Sequence, residues 1–192
     1  MQYHKLKPWL IFCLFVSGIT IIFRANQVQA QIVPDNTLGN ENSIVTPINS
    51  QRDRIDGGAI RNKNLFHSFT EFNIGEGREA YFSNPAAIEN IFSRVTGSNP
   101  SQIFGKLGVL GDANLFLLNP NGIIFGENSS LDIKGSFFAS TASSFDFGEG
   151  NNYSAINPTA PPLLSVSVKA PVGLEFEGGE GDIENQGNLV VG

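Results

Sequence analysis

Five acidic side chains, Glu175, Glu177, Glu180, Asp182 and Glu184, crowd the last part of this 192-residue sequence. Clustered carboxylates can hold calcium, and beside an arginine base they can act on an acidic polysaccharide. That base is missing: no arginine lies between Arg94 and Gly192, and the one lysine in the neighbourhood is Lys169. In Leu174-Glu175-Phe176-Glu177 the acids alternate with apolar residues, as the solvated face of a strand does. His67 stands in an apolar run between Phe66 and Phe69 and is the one histidine after residue 30. Such a residue is expected to be packed or hydrogen-bonded rather than a ligand or base. Arg94, in Ser93-Arg94-Val95-Thr96-Gly97, could pair with an acid or contact a partner. No Ser-His-Asp set, metal-ligand spacing or phosphate-cradling loop is visible. A catalytic role is the minor reading, with no cofactor and no metal expected.

The compartment is set by residues 1–30. Lys5 and Lys7 precede an apolar run from Leu10 to Phe23, and a polar stretch ends in Val28-Gln29-Ala30. A basic start, an apolar middle and a small-residue exit make a signal peptide, with cleavage expected after Ala30. A spanning helix would want about 20 apolar residues, and this run stops at Arg24. Cys13 follows the bulky Phe12 inside the apolar run, which is wrong for lipid attachment. Lys5, Lys7 and Arg24 are three of the 12 basic residues, and all 18 acids follow residue 30. The remainder therefore carries a net charge of −9 and no cysteine. It can use neither disulfides nor thiolate sites, and its charge argues against nucleic acid and anionic membranes as partners. Thiol-free export fits a bacterial envelope or surface protein.

Helix signals are nearly absent from residues 31–192; Pro85 to Phe92 is the one expected helical turn. Elsewhere short apolar runs are cut by Gly, Asn, Asp or Pro-Asn clusters, which indicates an all-β domain. The linkers look like corners. In Asn119-Pro120-Asn121-Gly122-Ile123 the proline fits a turn position, and Asn-Gly supplies a left-handed one. Ile183, Asn185 and Leu189 are spaced to point inward from a coil, with Asn stacking in ladders. The expected fold is a right-handed parallel β-helix, single-stranded and pectin-lyase-like, with an extra-helical loop or hairpin. Gln31 to Asn49 should form N-terminal capping strands, and Asn151 to Pro162 a surface excursion.

The order of motifs along residues 31–192 resembles the N-terminal secretion domain of two-partner-secretion exoproteins, the filamentous-haemagglutinin-like family, in its cyanobacterial branch. The resemblance is carried by Ile32-Val33-Pro34-Asp35, Ile55-Asp56-Gly57-Gly58, Asn64-Leu65-Phe66-His67-Ser68-Phe69 and the stretch Ile88 to Gly97. It continues through Asn114 to Gly126, Leu131 to Ala142 and the closing Gly187 to Gly192. Two places depart from the family pattern. Gly57-Gly58-Ala59-Ile60-Arg61 replaces a Gly-Gly-Thr-Arg-like stretch, and an earlier Asn-Pro-Asn-Leu motif found in some relatives is absent.

The resemblance implies export to the periplasm, then binding by the periplasmic docking domains of a dedicated outer-membrane β-barrel transporter. The chain would pass that pore largely unfolded and fold at the cell surface, at the front of an adhesin-type exoprotein. Asn119 to Ile123 would be a secretion motif or a structural corner. Asn64, Leu65, Phe66, His67, Ser68, Phe69 and Arg94 are the transporter-recognition candidates. A polysaccharide-active β-helix enzyme and a stand-alone surface adhesion module are the alternatives.

Overall fold

A computed structural model describes residues 31–158, 171–178 and 181–192. Residues 1–30, with the expected cleavage after Ala30, lie outside the described residues, as do Lys169 and Glu180. No α-helix occurs among the described residues.

Four strands open the chain: β1 (Ile32–Pro34), β2 (Ser43–Pro47), β3 (Arg52–Gly57) and β4 (Ala59–Arg61). The coil then continues through β5 (Asn64–Phe72), β6 (Glu79–Ser83), β7 (Asn90–Val95), β8 (Ser101–Ile103), β9 (Lys106–Leu110), β10 (Asn114–Leu118) and β11 (Ile123–Phe125). A further rung supplies β12 (Ser130–Asp132) and β13 (Phe137–Ser140). Three parallel ladders result, β5-β7-β10-β13, β3-β6-β9-β12 and β8-β11. Each strand pairs with the equivalent strand one coil later rather than with its neighbour in sequence. This is a parallel β-solenoid of about three turns. The expected parallel coil is borne out.

The N-terminal end is closed as expected, by strands running the other way. β1 and β4 lie antiparallel on β5, and β2 lies antiparallel on β3. A parallel edge left bare would invite pairing with other chains, and antiparallel strands block it. Inside, one continuous core contains Ile55, Leu65, Phe69, Phe82, Ile91, Ile103, Leu107, Leu115 and Ile123. Asparagines stack at one corner: Asn90 Nδ2 donates to Asn64 Oδ1 (3.0 Å), and Asn114 Nδ2 donates to Asn90 Oδ1 (2.9 Å). In-register stacking gives each amide a partner on the next coil.

After β13 the chain leaves the coil. β14 (Ser144–Asp146), β15 (Asn152–Ser154) and β16 (Gly173–Glu175) form a small antiparallel sheet in the order β15-β14-β16. The chain then returns as β17 (Ile183–Asn185), which stacks parallel on β11. Steps between stacked residues are short elsewhere, as from Ser101 to Ile123, but Ile123 reaches Ile183 across the whole excursion. The small sheet covers the outer face of the β5 ladder. There Phe66, Phe92 and Phe116 stack coil on coil, with centroids 5.3 and 4.6 Å apart. Phe145, Phe147, Tyr153 and Leu174 pack over them as a second core.

Three local expectations are corrected. Pro85 to Phe92 holds no helix: the chain turns at Ala86-Ala87, and Asn90, Ile91 and Phe92 enter β7. Pairing on both edges of β7 outweighs the local helical preference. Asn151 to Pro162 is not wholly a surface excursion, because β15 buries Tyr153 against the Phe ladder; residues 159–162 lie outside the described residues. Ile183 sits in register with the buried Ile123, yet is 48% exposed. Among the described residues no strand stacks beyond β17, so its inner face meets solvent. Leu189 does pack against the main core, as its spacing suggested.

Candidate recognition site

The Asn119–Ile123 corner closes the turn from β10 into β11. Asn119 is fully buried and uses its whole amide. Its Nδ2 donates to the Asn99 carbonyl and to Ser101 Oγ, both at 3.0 Å. Its Oδ1 accepts from the Asn121 backbone N–H (3.0 Å) and from Asn121 Nδ2 (3.2 Å). Asn121 Nδ2 also donates to the Gly97 carbonyl on the preceding coil (2.8 Å). Gly122 has φ +120°, where a side chain is strained, and a Cβ there would lie 3.1 Å from the Asp182 carbonyl. Gly181 N donates to the Pro120 carbonyl (2.7 Å), so the returning chain lies directly over the corner.

Asn64 to Phe69 form the first part of β5 and are all buried. The strand alternates. Leu65 and Phe69 belong to the inner core and Phe66 to the outer one. His67 faces inward, its ring centroid 5.2 Å from that of Phe82. On the outer face Ser68 is stacked against Arg94 of β7.

Arg94, itself buried, joins three parts of the fold. Its Nε donates to Ser68 Oγ (2.9 Å), one Nη to Thr37 Oγ1 (2.7 Å) and the Pro158 carbonyl (3.2 Å), and the other Nη to the Ser154 carbonyl (2.6 Å). Its guanidinium carbon lies 4.2 Å from the Tyr153 ring centroid. The hydroxyls of Ser68, Thr37 and Thr96 all donate to the Asp35 carboxylate at 2.7 Å. Burial works to raise the Asp35 pKa, but these bonds and the Thr37 N–H outweigh it and hold the carboxyl below its ordinary value. Arg94 therefore meets its acid through hydroxyls, not in a direct ion pair. Asp35, Thr37, Thr96 and Tyr153 were missed as partners of Arg94. The legible signal was the i, i+2 spacing of Arg94 and Thr96, which puts both on one face of a strand.

His67 Nδ1 lies 3.0 Å from Ser43 Oγ, while Nε2 and the neighbouring Ser93 Oγ have no partner among the described residues. Burial drives the imidazole pKa down to about 3, although nearby Asp56 opposes the shift. The ring is neutral and packed. It is placed to be neither a surface ligand nor a base.

The described C-terminal acids do not converge. Glu175 Oε2 accepts from Ser144 Oγ (2.7 Å) and Asn152 Nδ2 (2.6 Å), so this acid holds β14–β16 together rather than facing solvent alone. Glu177, Asp182 and Glu184 are exposed. No group of three or more His, Cys, Asp or Glu side chains among the described residues could hold a metal ion. A groove of about 970 Å³ lies at the N-terminal end beside Gln31–Pro34 and Ile74–Glu76, and none of the candidate residues lines it.

The geometry is thus a solenoid whose distinctive sequence words are its internal braces. The family described as the TPS secretion domain matches residues 30–191. The chain belongs to that family. Two-partner-secretion domains stand in exoproteins secreted by Gram-negative bacteria and are typically non-catalytic. Relatives include a heme/hemopexin-binding protein of Haemophilus influenzae strain Rd, 38% identical over 81 residues. That match covers 42% of this chain and 9% of the relative. A second Haemophilus influenzae protein of the same description is 38% identical over 64 residues, 33% of this chain and 7% of the relative. The aligned stretch is under a tenth of either relative's length.

Proposed function

We propose that this domain is read by a dedicated outer-membrane β-barrel transporter before its folding is complete, and that it then completes β-solenoid folding outside the cell. One observation carries the reading. Every recognition candidate from Asn64 to Phe69, together with Arg94 and Asn119, is buried in the folded domain. A transporter that reads these side chains must meet them in an extended or opened chain. Folding then hides them, which makes binding reversible without a separate energy source.

The two ends of the solenoid support the folding role. Antiparallel strands close the first coil, whereas among the described residues no further strand pairs with β12 and β13 at the last. Phe138, 42% exposed, and Ile183 lie at that end, ready to be covered by a further coil. In this reading the domain is exported to the periplasm by residues 1–30, cleaved after Ala30, and carried to the surface as part of an adhesin-type protein. The cyanobacterial assignment rests on motif wording alone. Heme/hemopexin binding describes those whole proteins, of which this chain matches under a tenth.

Gly122→Val tests the reading. The variant should reach the periplasm and bind the transporter's periplasmic domains, yet fail to accumulate at the surface. Surface display equal to wild type would sink the folding-driven version. Calcium-dependent cleavage of an acidic polysaccharide by the purified domain would favour the enzyme alternative, and direct binding to cells or glycans the adhesion module.

A further inference from the structure

The sheet β14–β16 is held to the solenoid in an unusual way. Its strand pairing is internal, with Phe145 opposite both Tyr153 and Leu174, and it adds no rung to any parallel ladder. Its inner face instead presses aromatic edges onto the outer Phe ladder. Phe145 meets Phe92 edge-on at 5.3 Å, and Tyr153 meets Phe66 at 5.0 Å. Two polar groups fix its position. Tyr153 Oη donates to the His67 carbonyl (2.7 Å), and Arg94 donates to the carbonyls of Ser154 and Pro158.

With this sheet lifted away, Phe66, Phe92 and Phe116 would form a flat aromatic stripe on the β5 ladder. Beside it Arg94 would have lost two carbonyl acceptors and an aromatic face. A continuous aromatic stripe, edged by a guanidinium that Ser68 and Thr37 satisfy only in part, is a docking surface, not a solvated one. Its present occupant describes what fits: short extended strands that offer aromatic edges to the stripe and backbone carbonyls to the arginine. A sheet docked through side chains also opens more readily than a coil strand paired on both edges.

We propose that this stripe, with Arg94, is the face the transporter's periplasmic domains grip, and that β14–β16 is a built-in competitor that covers it on folding. The proposal rests on the secretion-domain reading and makes it specific. Phe66 and Arg94 contact the partner; Leu65, His67 and Phe69 face inward and do not. The partner's affinity follows the fraction of chains in which the sheet is lifted. Once the sheet closes outside the cell, the grip is lost.

The test titrates the chain with the purified periplasmic domains of its dedicated transporter. Hydrogen exchange at residues 144–146 and 152–154 reports opening in the same samples. Tyr153→Phe removes one hydrogen bond and should raise both opening and affinity about five- to tenfold. Tyr153→Ala removes the ring and should raise them about a hundredfold. Phe116→Ser placed in the Tyr153→Ala background should cancel the gain in affinity while the sheet remains open. Protected amides at Ile91 and Leu115 certify that the inner coil is intact. Affinity that stays constant as the sheet opens overturns the proposal, as does affinity that falls, because the sheet would then be part of the contact. Opening that leads to self-association in place of transporter binding overturns it too. If the transporter domains bind neither folded, opened nor urea-unfolded chain, the secretion-domain reading itself has failed.

Discussion

His67→Leu should abolish most of the domain's loss of stability between pH 7 and pH 5. The imidazole is fully enclosed beside Phe82 and Phe69, and burial holds its pKa at about 3. In the unfolded chain the same group titrates near its ordinary value, about 6.5. Below that value the unfolded state binds a proton that the folded state refuses, so acid favours unfolding. The stabilisation from keeping the ring neutral is complete above about pH 6.5 and is lost progressively as pH falls towards 3. At 1.36 kcal/mol per pH unit, the loss from pH 7 to pH 5 comes to about 2 kcal/mol. Asp35, Asp56, Glu41 and Glu79 have pKa values lowered by folding, so they destabilise at still lower pH and leave this window to the histidine. At pH 7 the substitution should cost about 1 kcal/mol or less. Ser43 Oγ keeps the Ser68 N–H (3.1 Å), and an unpartnered Nε2 is removed. Urea unfolding at pH 7, 6 and 5 reads both proteins. A wild-type midpoint that does not move, or equal slopes in the two proteins, would refute the reasoning.

Other substitutions separate the braces from the surface. Asn119→Ala should destabilise by about 2–4 kcal/mol, since Asn99, Ser101 and Asn121 all lose a buried partner; a loss under about 0.5 kcal/mol by denaturant titration would contradict its role as a brace. Phe92→Ala should cost about 3–5 kcal/mol, whereas Phe138→Ala, at the open end of the same ladder, should cost about 0.5 kcal/mol or less. Gly108 lies under Tyr81, and an added Cβ would sit 2.3 Å from the ring, displacing it from its 2.7 Å bond to Asp132. Gly108→Ala should therefore cost about 2 kcal/mol in the wild type and little in a Tyr81→Ala background, as a double-mutant cycle measures.

Much of the architecture was legible because a coil repeats its corners. Asn-Pro-Asn-Gly, the short apolar runs and the polar N-terminal stretch led to a capped parallel solenoid, and asparagine stacking was expected from the same logic. The ladder stands at Asn64, Asn90 and Asn114 rather than near Asn185, because stacking needs a coil on each side. Inside and outside were harder to separate. The first six residues of β5 are buried on both faces, so Leu-Phe-His-Ser-Phe shows no alternation to mark that Phe66 points out and Leu65 in. For the same reason the covering role of Tyr153 was hidden: in sequence it stands among Asn, Ser and Pro and reads as loop. Of the site, turn chemistry marked Asn119 to Ile123 as a corner or a recognition motif, and no sequence signal marked the burial of Asn119. The hydroxyl relay from Arg94 to Asp35 joins residues 59 apart and no local pattern marks it.

Secretion of a chain that can be locked in its folded form tests the central claim most directly. Residues 31–192 have no cysteine, so an Asn90→Cys, Asn114→Cys pair would be the only thiols there. These positions are in-register parallel neighbours, about 4.8 Å apart, within the reach of a disulfide. With a periplasmic oxidant present the bridged protein should stay in the periplasm, while the reduced protein should reach the surface at the wild-type level. Equal surface display of the bridged and reduced forms would contradict the account.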